Sequence, residues 1–126
     1  MQFVLNSDPT FWWPVRVKVP APDPDAAGTY VEQELDLQMS PMSRDEALAD
    51  QEAYVALTTD RARIEHETCR YKRLIRGWRR VQDTEGRDVH FSPELLGLAL
   101  SFPWFRSAVS LALAEVIAGI EPQRGN

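Results

Sequence analysis

The chain has 126 residues, of which 44% are hydrophobic and 26% charged, a composition typical of one soluble globular domain. Its net charge of −5 argues against a dedicated nucleic-acid binder, and a single cysteine, Cys69, excludes an internal disulfide. No stretch approaches the roughly 20 uninterrupted apolar residues of a membrane span, and no basic region followed by an apolar run marks a secretory signal. We therefore expect a cytoplasmic protein.

Residues 1–40 are predicted to form strands. Phe3 to Leu5 is a short apolar run, and apolar and polar residues alternate from Val15 to Val19 and again from Tyr30 to Met39. This period of two is typical of half-buried strands. We expect the two longer segments to pair antiparallel through a proline-rich loop, which would place Arg16 and Lys18 opposite acidic residues of the second strand.

Residues 41–82 are predicted to be helical. Ser43 and Glu46 form a capping box, and apolar and aromatic residues then recur at spacings of three and four from Tyr54 to Trp78. A continuous helix over residues 43–81 would be about 57 Å long, so it must bend, break or lie against a second subunit. The β-branched pair Thr58 and Thr59 favours a break there. These regularly spaced residues from Tyr54 to Trp78 form a stripe along the helix. The stripe is either an intramolecular core face or a surface for self-association.

Basic residues crowd the end of this segment, with no acid among them. They are Arg70, Lys72, Arg73, Arg76, Arg79 and Arg80. One interpretation is favourable charge at a helix C-terminus together with a solvated face. The other is a docking surface for an acidic partner or for nucleic acid.

A turn and two short helices follow. Asp83 to Gly86 supplies turn chemistry, and Ser92 before Pro93 is an N-cap followed by proline at the first helical position. Two helices over residues 92–120 are divided by Pro103, and a flexible tail is expected at 121–126. On the second helix one side carries small residues, where another backbone can approach closely. They are Ser107, Ser110, Ala114 and Ala118.

Together the predicted strands and helices indicate a single α+β domain over residues 1–120. It consists of a small N-terminal antiparallel sheet followed by a mostly helical C-terminal bundle.

The sequence carries no recognisable catalytic or metal-binding motif. His66 and His90 lie in different segments without the paired spacing of a zinc site, and His66 is interpreted as a solvated helix residue. The acidic residues of the turn lack the regular spacing of a calcium loop. We predict that the protein is not an enzyme and uses no cofactor.

The run from Gly77 to Leu96 has the order Gly-Trp, then Val, Asp and Gly, then Val-x-Phe-Ser-x-Glu-Leu-Leu. In this order it resembles tail assembly chaperones of long-tailed, siphovirus-type bacteriophages. The resemblance covers Leu74 to Ile117 best. The segment from Asp8 to Val19, with its Phe-Trp-Trp-Pro core, also resembles the start of such proteins from prophages and prophage-like elements.

The resemblance implies a protein that binds the aggregation-prone tape measure protein and assists tail tube assembly, with the major tail tube protein as a further candidate partner. Such a chaperone would be absent from the mature virion. A homo-oligomer of this chain is a further expectation. The aromatic and apolar residues expected to contact the partner are Trp12, Trp13, Tyr54, Ile64, Tyr71 and Trp104. Two alternatives stay open: a structural virion protein such as a head-tail connector or tail completion subunit, and a small nucleic-acid-binding regulator that uses residues 70–80.

Overall fold

The alternating segments form a hairpin in the computed structural model, which describes residues 1–122. Strand β1 (Phe11–Pro20) pairs antiparallel with β2 (Tyr30–Met39), and the register sets Arg16 opposite Glu34 and Lys18 opposite Glu32. Arg16 Nη1 lies 3.6 Å from Glu32 Oε1, diagonally across the pair. The predicted pairing and its charge complementarity are confirmed.

The prediction of a strand at Phe3 to Leu5 is wrong. Residues 1–10 contain no strand, and the side chains of Phe3, Val4 and Leu5 are exposed. The reason lies in the register, because β1 begins at Phe11, which is already opposite Met39, the last residue of β2. Residues before Phe11 therefore have no part of β2 to pair with.

The predicted helix break is confirmed. Helix α1 (Arg44–Val55) begins after Ser43, whose Oγ accepts a hydrogen bond from the backbone N–H of Glu46 at 3.2 Å. Helix α2 (Asp60–Leu74) begins after Thr59, whose Oγ1 accepts from the N–H of Ala62 at 3.1 Å. The threonine thus starts a new helix by satisfying one of its free backbone donors.

The helix predicted to reach residue 81 ends instead at Leu74. Ile75–Arg79 forms strand β3, which pairs antiparallel with β2 and sets Trp78 opposite Leu37. Gly77 disfavours a helix, and a Cβ there would lie 3.2 Å from Gln38 Oε1, so the missing side chain also suits the close strand pairing. The stripe from Tyr54 to Trp78 is consequently divided among two helices and a strand.

The segment after β3 folds back onto it before the last two helices begin. Asp83 accepts hydrogen bonds from the N–H groups of Arg87 and Glu85, which lower its pKa, and Gly86 has a φ of 80°. Trp78 Nε1 donates to the carbonyl of Val89 at 2.9 Å. Ser92 then caps α3 (Pro93–Leu100), as its position before proline predicts, and α4 (Pro103–Ala118) follows.

The core lies between one face of the sheet and the helices. The sheet order is β1-β2-β3, and α4 packs along β1. Leu37 and Met39 of β2, Leu96 of α3 and Val109 of α4 have no exposed surface. Sheet and helices share this core, so the α+β class is as predicted.

The outer face of the sheet is held together by charge. Asp36 accepts hydrogen bonds from Arg79 Nε at 2.8 Å and from Arg80 Nε and Nη2 at 3.1 Å each. Partial burial opposes ionisation of Asp36, but the two arginines outweigh it and lower its pKa. Arg80, which follows the last residue of β3, has a φ of 64° in the left-handed region. The guanidinium of Arg79 also lies 4.6 Å from the ring centre of Trp12.

Among residues 1–122, no single helix is long and apolar enough to cross a membrane; α3 and α4 together reach such a length and composition, but they are bent by 104° at their junction. Glu121 and Pro122 have no regular structure. The rest of the predicted flexible tail, residues 123–126, lies outside the described part of the chain.

Replacing Leu37 by Ala should lower the free energy of unfolding by about 2–5 kcal/mol, because a fully buried side chain leaves a cavity. Urea unfolding followed by circular dichroism measures the change. Leu98→Ala is the matched control, since Leu98 is 59% exposed and should change stability by about 0.5 kcal/mol or less. Equal effects of the two substitutions would contradict the assignment of the core.

Candidate partner-binding groove

Helix α1 is attached to the domain by a polar residue. All of its residues are described, and Asp50 is the one buried side chain among them. Leu48 and Val55 are 56% and 65% exposed. A surface helix of a globular domain ordinarily turns an apolar stripe to the core. Helix α1 lacks such a buried stripe, so its apolar side chains are free to contact another molecule.

A cluster of charged side chains joins α1 to α2. Asp50 Oδ1 lies 3.0 Å from His66 Nε2 and 3.5 Å from Arg73 Nη2, and Asp50 Oδ2 accepts a hydrogen bond from Arg70 Nη1 at 2.9 Å. Burial opposes ionisation of Asp50, but Arg70 and then His66 outweigh it and lower its pKa. Burial alone would lower the pKa of Arg70, but the hydrogen bond to Asp50 outweighs burial and raises it. The cluster therefore fastens α1 by ion pairs in place of apolar packing.

The interpretation of His66 as a solvated residue is wrong. Its side chain is 24% exposed, its Nε2 contacts Asp50, and its ring centre lies 6.1 Å from that of Tyr54. The cause is the helix break, which turns α1 back so that it lies beside α2.

An open groove of about 550 Å³ lies between α1, α2 and α4, and we refer to it as the α1–α4 groove. Helix α2 lines it with Arg70, Tyr71 and Leu74. The α1 side is mostly polar, with Arg44, Asp50 and Gln51 beside Ala47. The lining residues of α4 are Ser110, Leu113, Ala114, Val116 and Ile117. The volume is within the roughly 300–1,000 Å³ of ligand-binding clefts. The mostly apolar lining suits the apolar face of a peptide helix.

Two small side chains and one buried hydroxyl group also line the groove. Ser110 and Ala114 are one helical turn apart on α4, where they permit a close approach. Ser40, at the start of the segment joining β2 to α1, is 9% exposed, and its Oγ has no hydrogen-bond partner among residues 1–122. A buried polar atom of this kind is stabilised when a bound molecule supplies the missing hydrogen bond.

The predicted contact residues on the helices are placed differently. Tyr71 is 2% exposed, and it lines the groove as part of the core. Tyr54 is half-buried beside His66, and Ile64 on α2 is 57% exposed. Trp104 stacks on Phe102 at the start of α4, with ring centres 5.2 Å apart. Of these, Tyr71 alone lines the groove.

The two adjacent tryptophans of β1 are placed apart from each other. Trp12 is 40% exposed and lies under the guanidinium of Arg79, whereas Trp13 packs against the core. Trp13 Nε1 donates to Glu115 Oε1 at 3.2 Å. Successive strand residues point to opposite faces, so the pair does not form one aromatic surface.

Several residues that line the groove are absent from the predicted contact set, notably Ser40, Leu113 and Ile117. The sequence offered a partial signal for the α4 wall, because its small-residue side includes Ser110 and Ala114. Nothing local to Ser40 or Ala47 indicates that these residues line the same groove as α4, since that arrangement depends on packing between distant segments.

The basic stretch at residues 70–80 is divided between α2 and β3. Arg70 and Arg73 pair with Asp50, while Arg79 and Arg80 pair with Asp36. These four arginines neutralise carboxylates of the same chain, which leaves less positive charge for a nucleic acid.

Comparisons with known protein families, curated proteins and solved structures give no significant match to this chain.

Replacing Asp50 by Asn should loosen α1 while α2 and the core stay folded. The amide keeps the shape but loses the charge that attracts three basic side chains, and we expect local opening to become easier by about 1–3 kcal/mol. Hydrogen exchange at residues 44–55 measures this. Glu52→Gln removes one charge at an exposed position of the same helix and should leave exchange unchanged. Unaltered protection in the Asp50 variant would contradict the fastening role of the cluster.

The attachment of α1 should also depend on pH. Because the pKa of Asp50 is below its ordinary value of 3.8 in the folded chain, its stabilisation is complete above that value and is lost as the pH falls through the lowered pKa. The protection of the α1 amides, measured as exchange rates relative to those of an unfolded peptide at the same pH, should therefore fall as acid is added below about pH 4. The Asp50→Asn variant serves as the control, and a pH step of the same size in it would assign the effect to other carboxylates.

Proposed function

We propose that the protein is a tail assembly chaperone that binds the tape measure protein of a long-tailed phage or prophage-like element while the tail tube assembles. The observation that carries the proposal is the open apolar groove beside α1, a helix that buries no apolar side chain of its own. The resemblance of residues 74–117 to such chaperones supports the identity of the partner.

Binding of an amphipathic helix in a groove fits this geometry. The partner would lay its apolar side against Leu113, Ala114 and Ile117 and against the wall that α1 provides. Ile117 is 86% exposed, and burying such a side chain contributes roughly 1.5–3 kcal/mol. The net charge of −5 would help to keep the complex in solution.

The region that carries the resemblance supplies the scaffold of the groove. Trp78 is fixed by Val89 and by an edge-on contact with Phe91, whose ring centre is 5.3 Å away. Ser92 then starts α3, which leads into α4. The motif thereby sets the direction of α4, the helix that forms one wall of the groove.

The proposal predicts a tape measure protein in a neighbouring gene. Co-expression with it should raise the soluble fraction of that protein, and the two should co-purify. No increase in solubility and no co-purification would count against the proposal. Mass spectrometry of purified particles separates it from a structural virion protein, which would remain in the particle, whereas a chaperone would be absent.

Replacing Ile117 by Asp should weaken this binding at least about tenfold, because a charge would be placed on the apolar wall of the groove. The soluble tape measure protein recovered in co-expression, and the amount bound at equal concentration, measure the effect. Leu98→Asp is the matched control, since Leu98 is also exposed, at 59%, and does not line the groove. Equal loss in both variants would assign the effect to general surface polarity.

A further inference from the structure

A second cavity lies beside the first half of α4, away from the α1–α4 groove. It has a volume of about 710 Å³, and we refer to it as the β1–α4 cavity. Its principal lining residues are Arg16, Lys18, Tyr30, Trp104, Ser107 and Leu111. It brings two basic side chains next to aromatic and apolar ones, and no acidic side chain among residues 1–122 lines it.

Arg16 has one unused edge on its guanidinium group. Nη1 lies 3.6 Å from Glu32 Oε1, but Nε and Nη2 are buried and have no hydrogen-bond partner within residues 1–122. Nε and Nη2 together present two parallel N–H groups, the arrangement that binds both oxygens of a carboxylate. Both atoms are covered in the free protein, and Arg16 lines the cavity, so binding at this edge requires a rotamer change of the Arg16 side chain. Rotamer changes of this kind are common on binding.

Two other features make the cavity favourable for an anion. Lys18 adds a second positive charge to the lining. Pro103 and Trp104, in the first turn of α4, also line it, and the N-cap residue Phe102 provides no side-chain hydrogen bond to that turn. The positive end of the dipole of α4 and its free N–H groups therefore lie beside the cavity.

The surroundings favour a singly charged acid over a phosphate. Glu32 already lies next to Arg16, and the whole chain carries a net charge of −5, so the attraction for an anion is limited. The cost of removing an ion from water rises steeply with its charge, which favours the singly charged group. The cavity is also larger than an acid group alone, and Tyr30, Trp104 and Leu111 offer apolar contacts beside it. We propose that the β1–α4 cavity binds an acidic side chain of a partner polypeptide, with an apolar neighbour of that side chain packed on Trp104. This inference does not depend on the proposed function, because it concerns a different site and is tested without the tape measure protein.

The test is a titration of the full chain, followed by NMR at the Nε–H of Arg16 and the indole N–H of Trp104. The probe is the peptide N-acetyl-Ala-Leu-Glu-Leu-Ala-amide, whose blocked ends leave the Glu carboxylate as its charged group. We expect saturable shifts of both signals, with a dissociation constant of about 1 mM or lower. The same peptide with Gln in place of Glu should bind at least about tenfold more weakly.

Two variants separate the effect of the paired N–H donors of Arg16 from the effect of its positive charge. Arg16→Lys keeps the charge but loses the paired donors, and Arg16→Gln loses both, so each should weaken binding of the Glu probe about tenfold or more at the Trp104 signal. Arg61→Gln, at an exposed position of α2, is the control for net charge and should bind as the natural chain does. Urea unfolding verifies that the variants fold, and the lysine variant carries the test if the glutamine variant does not.

Three results with the peptide probes would overturn the inference. They are no saturable shift with the Glu probe up to about 10 mM, equal binding of the Glu and Gln probes, and unchanged binding in Arg16→Lys. Inorganic phosphate forms a separate arm of the titration. Tighter binding of phosphate than of the Glu probe would also overturn it, since the site would then belong to a phosphate ligand.

Discussion

The apolar face of a small sheet has to be covered, and the rest of the structure depends on how this chain covers it. Val15, Leu35 and Leu37 are buried on that face, with α4 packed along β1 and Val109 fully enclosed. Helices α2, α3 and α4 supply the buried side chains that complete the core. Because they suffice, α1 is left outside the core, and it is fastened to α2 through Asp50. The groove exists because α1, which is not needed for the core, lies beside α2 and α4, which contribute to it.

The sequence predicted the parts of the fold that have local causes. The alternation from Val15 to Val19 and from Tyr30 to Met39 is enough to identify two strands, and charge complementarity gives their pairing. The caps at Ser43 and Ser92 depend on side chains that bond to backbone groups only a few residues away. The break near Thr59 has a similarly local origin, in a β-branched pair followed by a capping interaction.

Contacts between distant segments were not predictable in the same way. Ile75 to Arg79 continued the spacing of a helix, but the free side of β2 was available for pairing, and tertiary pairing prevailed over spacing. Asp50 and His66 meet because the chain reverses between them, and no pattern in either segment signals that contact. Size and aromaticity alone favour Trp12 and Trp13 equally as contact residues. In the structure Trp12 is exposed and Trp13 packs against the core, so the strand face decides which of the two rings is exposed.

The two arginines that pair with Asp36 lie at the end of an edge strand, where they affect how the sheet can meet a neighbouring molecule. Strand β3 is five residues long and borders the sheet, and the left-handed backbone at Arg80 terminates it abruptly. An incoming strand from a neighbouring molecule would find only a short rim that ends in ion-paired arginines, a poor template for sheet extension. The β3 side of the sheet therefore resists edge-to-edge association between copies of the chain.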